Sequence, residues 1–134
     1  MISYALDTNI VSYFLKGDSK IVERMRLENS KDTQFIIPPI VYFEIKNWLL
    51  KNNSKSKLAT FEKMYSSQGI GVIDKIVLDI ASTVKLKMQN QGKGISDDDL
   101  FIAAYCLKYN LPLVTNNIRH FKNIENLEIL NWLE

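Results

Sequence analysis

The chain has 134 residues, 46% of them hydrophobic and 24% charged, with 17 basic against 15 acidic side chains and a net charge of +2. That length is one domain, residues 1–134, able to bury about two-thirds of its unfolded surface without a disulfide or a structural metal. With one cysteine (Cys106) and one histidine (His120), an internal disulfide and a zinc-finger ligand set are excluded, and a reducing, cytoplasmic setting is the natural reading.

Ile2 to Leu6 reads as a short buried strand, with no basic region before it that would make a signal peptide. Thr8 to Lys16 follows as a helix closed by Gly17, and a second helix is expected from about Ser19 to Asn29. Gln34 to Ile37 is a strand stopped by Pro38-Pro39. A proline at a helix start is favourable, so Pro39 to about Leu50 should be helical. The apolar run Phe35 to Phe43 holds both prolines and is too short to cross a bilayer, so no membrane partner is expected.

Asn52-Asn53-Ser54 breaks the chain before another helix to about Ser67. Gly69 and Gly71 flank an expected strand, Ile70 to Ile73, and a helix from about Asp74 to Gln89 ends at Gly92-Lys93-Gly94. Ser96 caps an apolar helix, Asp97 to Tyr109. Leu111 to Thr115 is a strand, Ile118 to Asn123 a short helix, and Leu127 to Leu130 a last strand. Alternation of this kind implies an α/β domain with a central parallel sheet of about five short strands and helices on both faces. Two lysine-rich stretches, Lys46 to Lys63 and Lys85 to Lys93, read either as phosphate-backbone patches or as solvated helix faces.

In such a sheet, ligands bind beyond the carboxyl ends of the strands. Asp7 ends the first strand. Glu44 lies one and a half turns into the helix after the second, inside Val41-Tyr42-Phe43-Glu44-Ile45. Asp97, Asp98 and Asp99 crowd the first turn of the apolar helix, and Thr115-Asn116-Asn117 ends the strand after it. Each has a simpler reading: Asp7 as a helix cap, Ser96 with Asp99 as a capping box, residues 115–117 as a turn. Together they converge on one edge, where repelling carboxylates are held by a hard divalent cation. Magnesium suits such a site because it takes one or two carboxylates and keeps several waters. On the helix, Asp99 shares a face with Ile102, Ala103 and Cys106, whereas Asp97 is rotated about 200° from it.

These residues resemble PIN-domain nucleases, most closely the VapC-type toxins of bacterial toxin–antitoxin modules. Leu6-Asp7-Thr8-Asn9 is similar to the family's opening motif, and Glu44 falls where its second acid does. Ile95 to Ala104 is similar to the family's pattern of an acid, two intervening residues and Ile-Ala-Ala, which selects Asp99, with Asp98 next. Leu113-Val114-Thr115-Asn116-Asn117 with His120-Phe121 resembles the closing motif. Asn117 is an amide where many members carry an acid, which leaves one negative charge fewer for a second ion.

The resemblance implies an endoribonuclease that cleaves phosphodiesters with metal-activated water, leaving a 5′-phosphate and a 3′-hydroxyl. Asp7 and Asp99 would ligate Mg2+ (or Mn2+), and Glu44 would orient water beside the ion or help hold a second one. Asn9, Thr115 and Asn117 would position these groups, with Asp98 in support. His120 is expected at the surface or against a phosphate, and Cys106 in the core. The implied partners are an RNA substrate, a cognate antitoxin and a second copy in a homodimer, with Tyr42, Phe43, Trp48, Phe61 and Tyr65 as candidates to line the antitoxin groove.

Alternatives are a PIN nuclease of RNA processing without an antitoxin, an aspartyl phosphohydrolase, and a receiver-like phosphorylation module. The second needs an acid two residues after Asp7, where Asn9 stands. The third needs a phosphoacceptor after the third strand and a Lys after the fifth, where Asp74-Lys75 and Asn131-Trp132 stand instead.

Overall fold

A computed structural model of the chain describes residues 2–29, 32–68 and 72–134. Four strands, β1 (Ile2–Leu6), β2 (Thr33–Ile36), β3 (Leu113–Val114) and β4 (Ile129–Leu130), form one sheet in the order β2-β1-β3-β4. All three pairings are parallel, with Ala5 opposite both Ile36 and Leu113, and Val114 opposite Leu130. Every strand therefore ends at the same edge.

Seven helices are present among the described residues: α1 (Thr8–Leu15), α2 (Ser19–Asn29), α3 (Pro39–Lys51), α4 (Lys55–Ser66), α5 (Lys75–Asn90), α6 (Asp97–Tyr109) and α7 (Ile118–Phe121). Consecutive strand residues point to opposite faces. Ala5 and Leu6 are both fully buried, as are Leu113 and Val114, so both faces of the sheet are covered. The main core joins these residues to Ile10, Val41, Ile45, Ile102 and Phe121, and a smaller cluster of Val77, Ala81, Leu100 and Ala104 seals α5 against α6.

Local chemistry explains most boundaries. Gly17, at φ 80°, closes α1 with the paired bonds Asp18 N–H to Tyr13 O and Gly17 N–H to Phe14 O, the left-handed ending that glycine permits. Ser96 caps α6 by accepting from the Asp99 N–H, and Asn110 ends it in the left-handed region. At the exit from β2 the buried side chain of Gln68 clamps Ile37, accepting from its N–H at 2.7 Å and donating to its carbonyl at 3.0 Å. That clamp satisfies a backbone that the two following prolines leave without a helical or strand partner.

The expected sheet of about five strands has four among the described residues; of the strand expected at Ile70 to Ile73, Ile70 and Gly71 lie outside them, while Val72 and Ile73 are in no strand. The lysine stretches are partly neutralised, by Lys46 with Glu62, Lys85 with Asp97 and Lys87 with Glu125. Phe61 is fully buried and stacks with Tyr42 at 5.4 Å, so it is core; Phe43, 66% exposed, is the aromatic that faces solvent. Cys106 is buried, and burial pushes its thiol far above the ordinary range. No helix among the described residues is long and apolar enough to cross a membrane.

Candidate active site

The sheet ladder itself delivers the first two groups. Asp7 N–H donates to Val114 O and Thr115 N–H to Leu130 O, each at 2.9 Å, so both residues extend their strands by one position at the common edge. Thr115 Oγ1 then donates to Asp7 Oδ2 at 2.7 Å, and Asn9 Nδ2 to the same oxygen at 3.1 Å. The Thr8 N–H donates to Asp7 Oδ1 at 2.8 Å, which makes Asp7 the N-cap of α1 as well. Capping and site roles coincide in one carboxylate.

Around it the amides form a brace. Asn9 Oδ1 accepts from the Asn116 N–H at 3.0 Å, and Asn116 Oδ1 accepts from Asn131 Nδ2 at 3.3 Å. The hydroxyl of Thr115 accepts from the Asn117 N–H at 2.9 Å. Asn117 thus contributes its backbone, and its exposed side chain makes no hydrogen bond among the described residues.

Glu44 arrives on α3, whose core stripe is Val41, Ile45 and Leu49. It sits beside that stripe, half-buried, and its Oε1 accepts from Thr8 Oγ1 at 2.7 Å. The three consecutive aspartates separate as their helical angles require. Asp97 points to solvent and pairs with Lys85 at 3.0 Å. Asp98 faces Glu44 and Asp99 faces Asp7 closely enough for each pair to repel. The Asp99 side chain is 20% exposed against 66% for Asp97, and its Oδ2 lies 2.9 Å from His120 Nδ1. The cap at Ser96 is real, but the Asp99 carboxylate engages His120 and is not tied back to Ser96.

Electrostatics mark the site. Asp7 is 3% exposed, and burial holds its carboxyl above the usual range. Hydrogen bonds from Thr115 and the Thr8 N–H oppose the rise, and the charge of Asp99 adds to it. Desolvation likewise lifts Glu44, with Asp98 and then Asp7 pushing the same way. Two acids that resist ionisation at one strand edge make a cation-seeking cleft. The donors are oxygens, yet no three acidic, histidine or cysteine side chains among the described residues close into a ready cage. Such an opening suits an ion that keeps much of its own water.

Asp7, Glu44, Asp98 and Asp99 come together with Asn9 and Thr115 as the sequence suggests. His120 on Asp99 and Asn131 on Asn116 were not foreseen; neither contact has a local sequence signal. Asn9 donates to Asp7 and has no acidic proton, which removes the aspartyl-phosphohydrolase reading.

The PIN domain family model matches residues 4–127. Ribonuclease VapC2 of Rickettsia felis is 31% identical over 132 residues, spanning 96% of this chain and 97% of that protein. Ribonuclease VapC1 of Haemophilus influenzae is 27% identical over 133 residues, with 96% and 97% covered. The crystal structure of VapBC2 from Rickettsia felis, bound to a DNA fragment from their promoter, superposes with a TM-score of 0.85 at 29% identity, over 98% of this chain and 99% of that one. With the acids of the opening, second and third motifs gathered at one edge of a parallel sheet, and the match running through almost the whole sequence, the chain belongs to the PIN domain family.

Proposed function

We propose that this protein is a metal-dependent endoribonuclease, the toxin of a toxin–antitoxin pair, with residues 1–134 acting as one nuclease domain in a reducing cytoplasm. The observation that carries the reading is the Asp7 carboxylate: buried, held by three donors, and facing the like charge of Asp99. Its two relatives at 27% and 31% identity are ribonucleases over nearly their full length, which supports the activity.

Asp7 and Asp99 would hold the ion, and Mg2+ or Mn2+ fits an all-oxygen set with open positions better than zinc does. A divalent cation at this place supplies an activated water nucleophile and neutralises charge developing on the scissile phosphate. The chain's own residues do the rest. Glu44, held by Thr8 Oγ1, would orient the attacking water or help hold a second ion. Thr115 and Asn9 keep Asp7 Oδ2 fixed. Asp98, beside Glu44, adds negative charge that keeps the Glu44 carboxylate basic. Attack in line at phosphorus leaves a 5′-phosphate and a 3′-hydroxyl.

The sequence resemblance and the likeness to VapBC2 of Rickettsia felis support a cognate antitoxin as partner; a homodimer of this chain rests on the sequence resemblance. A basic side chain of the antitoxin, entering the cleft, is the complement its carboxylates call for.

RNA cleavage should require Mg2+ or Mn2+ and stop in excess EDTA. Undiminished cleavage under EDTA overturns the metal reading.

A further inference from the structure

One short segment touches both acids of the cleft. Thr115, leaving β3, donates to Asp7 Oδ2 at 2.7 Å. A few residues on, His120 Nδ1 stands 2.9 Å from Asp99 Oδ2. The chain between them is not free to slide. Asn116 N–H is held by Asn9 Oδ1 at 3.0 Å and Asn117 N–H by Thr115 Oγ1 at 2.9 Å. His120 N–H donates to Asn117 O at 3.0 Å, and the next side chain, Phe121, is fully buried in the main core. The imidazole is thus carried on an anchored turn, although the ring itself is about half exposed.

Asp99 needs such an anchor. It lies in the first turn of α6 opposite a like charge, and its carboxylate takes no other side-chain hydrogen bond among the described residues. Without a restraint the two acids relieve repulsion by rotating apart, which opens the gap an ion has to bridge. We propose that His120 is the positioning residue for Asp99: its Nδ1–H donates to Oδ2, so that the single segment 115–121 sets the placement of both carboxylates. A carboxylate oxygen can only accept, so the contact fixes the proton on Nδ1 and leaves Nε2 free. The inference rests on Asp7 and Asp99 as the ion's ligands. Its value for that reading is a spacing held before any ion arrives, the kind of support whose loss weakens a metal site about 10- to 100-fold.

Two measurements on the full chain test it. The first needs no metal and no activity. His120 is the one histidine in the sequence, so the imidazole 15N spectrum shows a single ring. In the neutral ring Nδ1 should carry the proton, and Asp99→Ala, which removes the acceptor, should release it to Nε2. A wild-type ring with bare Nδ1 overturns the proposal.

The second is Mn2+ affinity by calorimetry. His120→Ala should weaken binding about tenfold or more. His120→Asn places an amide N–H where Nδ1 stands and should stay within about threefold of wild type, whereas His120→Gln, which reaches the Nε2 position instead, should resemble the alanine variant. Melting curves of the three confirm the fold. Equal affinity in wild type and His120→Ala, or an asparagine variant no better than alanine, overturns it. Should the wild type bind no Mn2+ at all, the metal reading fails by itself, and the imidazole spectrum still decides the role of His120.

Discussion

Asp74 and Asp7 both open helices, and their carboxyls are displaced in opposite directions. Asp74 caps α5, accepting from the Val77 N–H at 3.1 Å, and pairs with Lys108 at the far end of α6. That ammonium, with the helix N–H, holds its carboxyl below the usual range. Asp7 caps α1 but is buried, has only hydroxyl, amide and N–H donors, and faces Asp99; its carboxyl lies above the range. A carboxylate placed for stability is given a cation and water. One placed for chemistry is denied both, so its charge stays available to an ion from solution. The residue type and cap role are common to both, and only the surroundings separate them.

The sharpest way to break the contrast is to remove the charge at each acid. Asp7→Asn and Asp99→Asn should each lower RNA cleavage by at least about a hundredfold, as losses of central electrostatic groups do. Asp97→Asn, on the solvent side and paired with Lys85, should change it less than about threefold, with Asp98→Asn between. Cleavage of one RNA by the four variants at matched magnesium reads the order directly. An inactive Asp97→Asn beside an active Asp99→Asn would reverse the assignment of the third acid.

Proton linkage separates the two caps next. A carboxyl raised in the fold contributes stability that is full below its unfolded pKa and is lost as pH rises through the folded value. For Asp7, and in the same sense for Glu44, this means that ionisation strains the metal-free protein. Asp7→Asn escapes that loss. Its melting temperature relative to wild type, measured without metal, should therefore climb from pH about 4 toward neutrality. The lowered carboxyl of Asp74 works the other way: its contribution is present above the ordinary carboxylate pKa and disappears as pH falls through the folded value. A difference between Asp7→Asn and wild type that stays flat with pH would show that Asp7 is not strained.

Which of these features a sequence discloses follows from their range. Asp99 was separable from Asp97 because helical geometry fixes which side chains share a face with Ile102, Ala103 and Cys106, all buried in the fold. The bounds of α2 and α6 were legible too, since Ser96 and Asn110 stop α6 with local chemistry. Strand extents were not. β3 and β4 are only two residues each, shorter than the expected Leu111 to Thr115 and Leu127 to Leu130. His120 on Asp99 spans 21 residues and depends on how α7 is anchored by Phe121, which no spacing rule contains. The Gln68 clamp on Ile37 is of the same kind, a single amide answering a backbone 31 residues away.

The smallest effect belongs to the structural cap, and it divides capping from ion pairing. Asp74→Ala removes the acceptor for the Val77 N–H and the partner of Lys108 together. Loss of an N-cap and the size of this chain put the fall in melting temperature at about 3–5 °C. Asp74→Asn keeps a side-chain oxygen for the N–H, because asparagine caps as well as aspartate, and gives up only the pairing charge. Exposed ion pairs contribute little, so the asparagine variant should melt within about 2 °C of wild type. Lys108 lies nine residues beyond Asp99 on α6, about 13 Å along the axis, so neither change should reach the cleft and cleavage should stay within about twofold. An asparagine variant as unstable as the alanine one would assign the stability to the Lys108 pair. A loss of cleavage in either would mean that the packing of α5 against α6 also sets the placement of Asp99, with Asp74 coupled to the cleft through α6, the helix that carries both its partner Lys108 and Asp99.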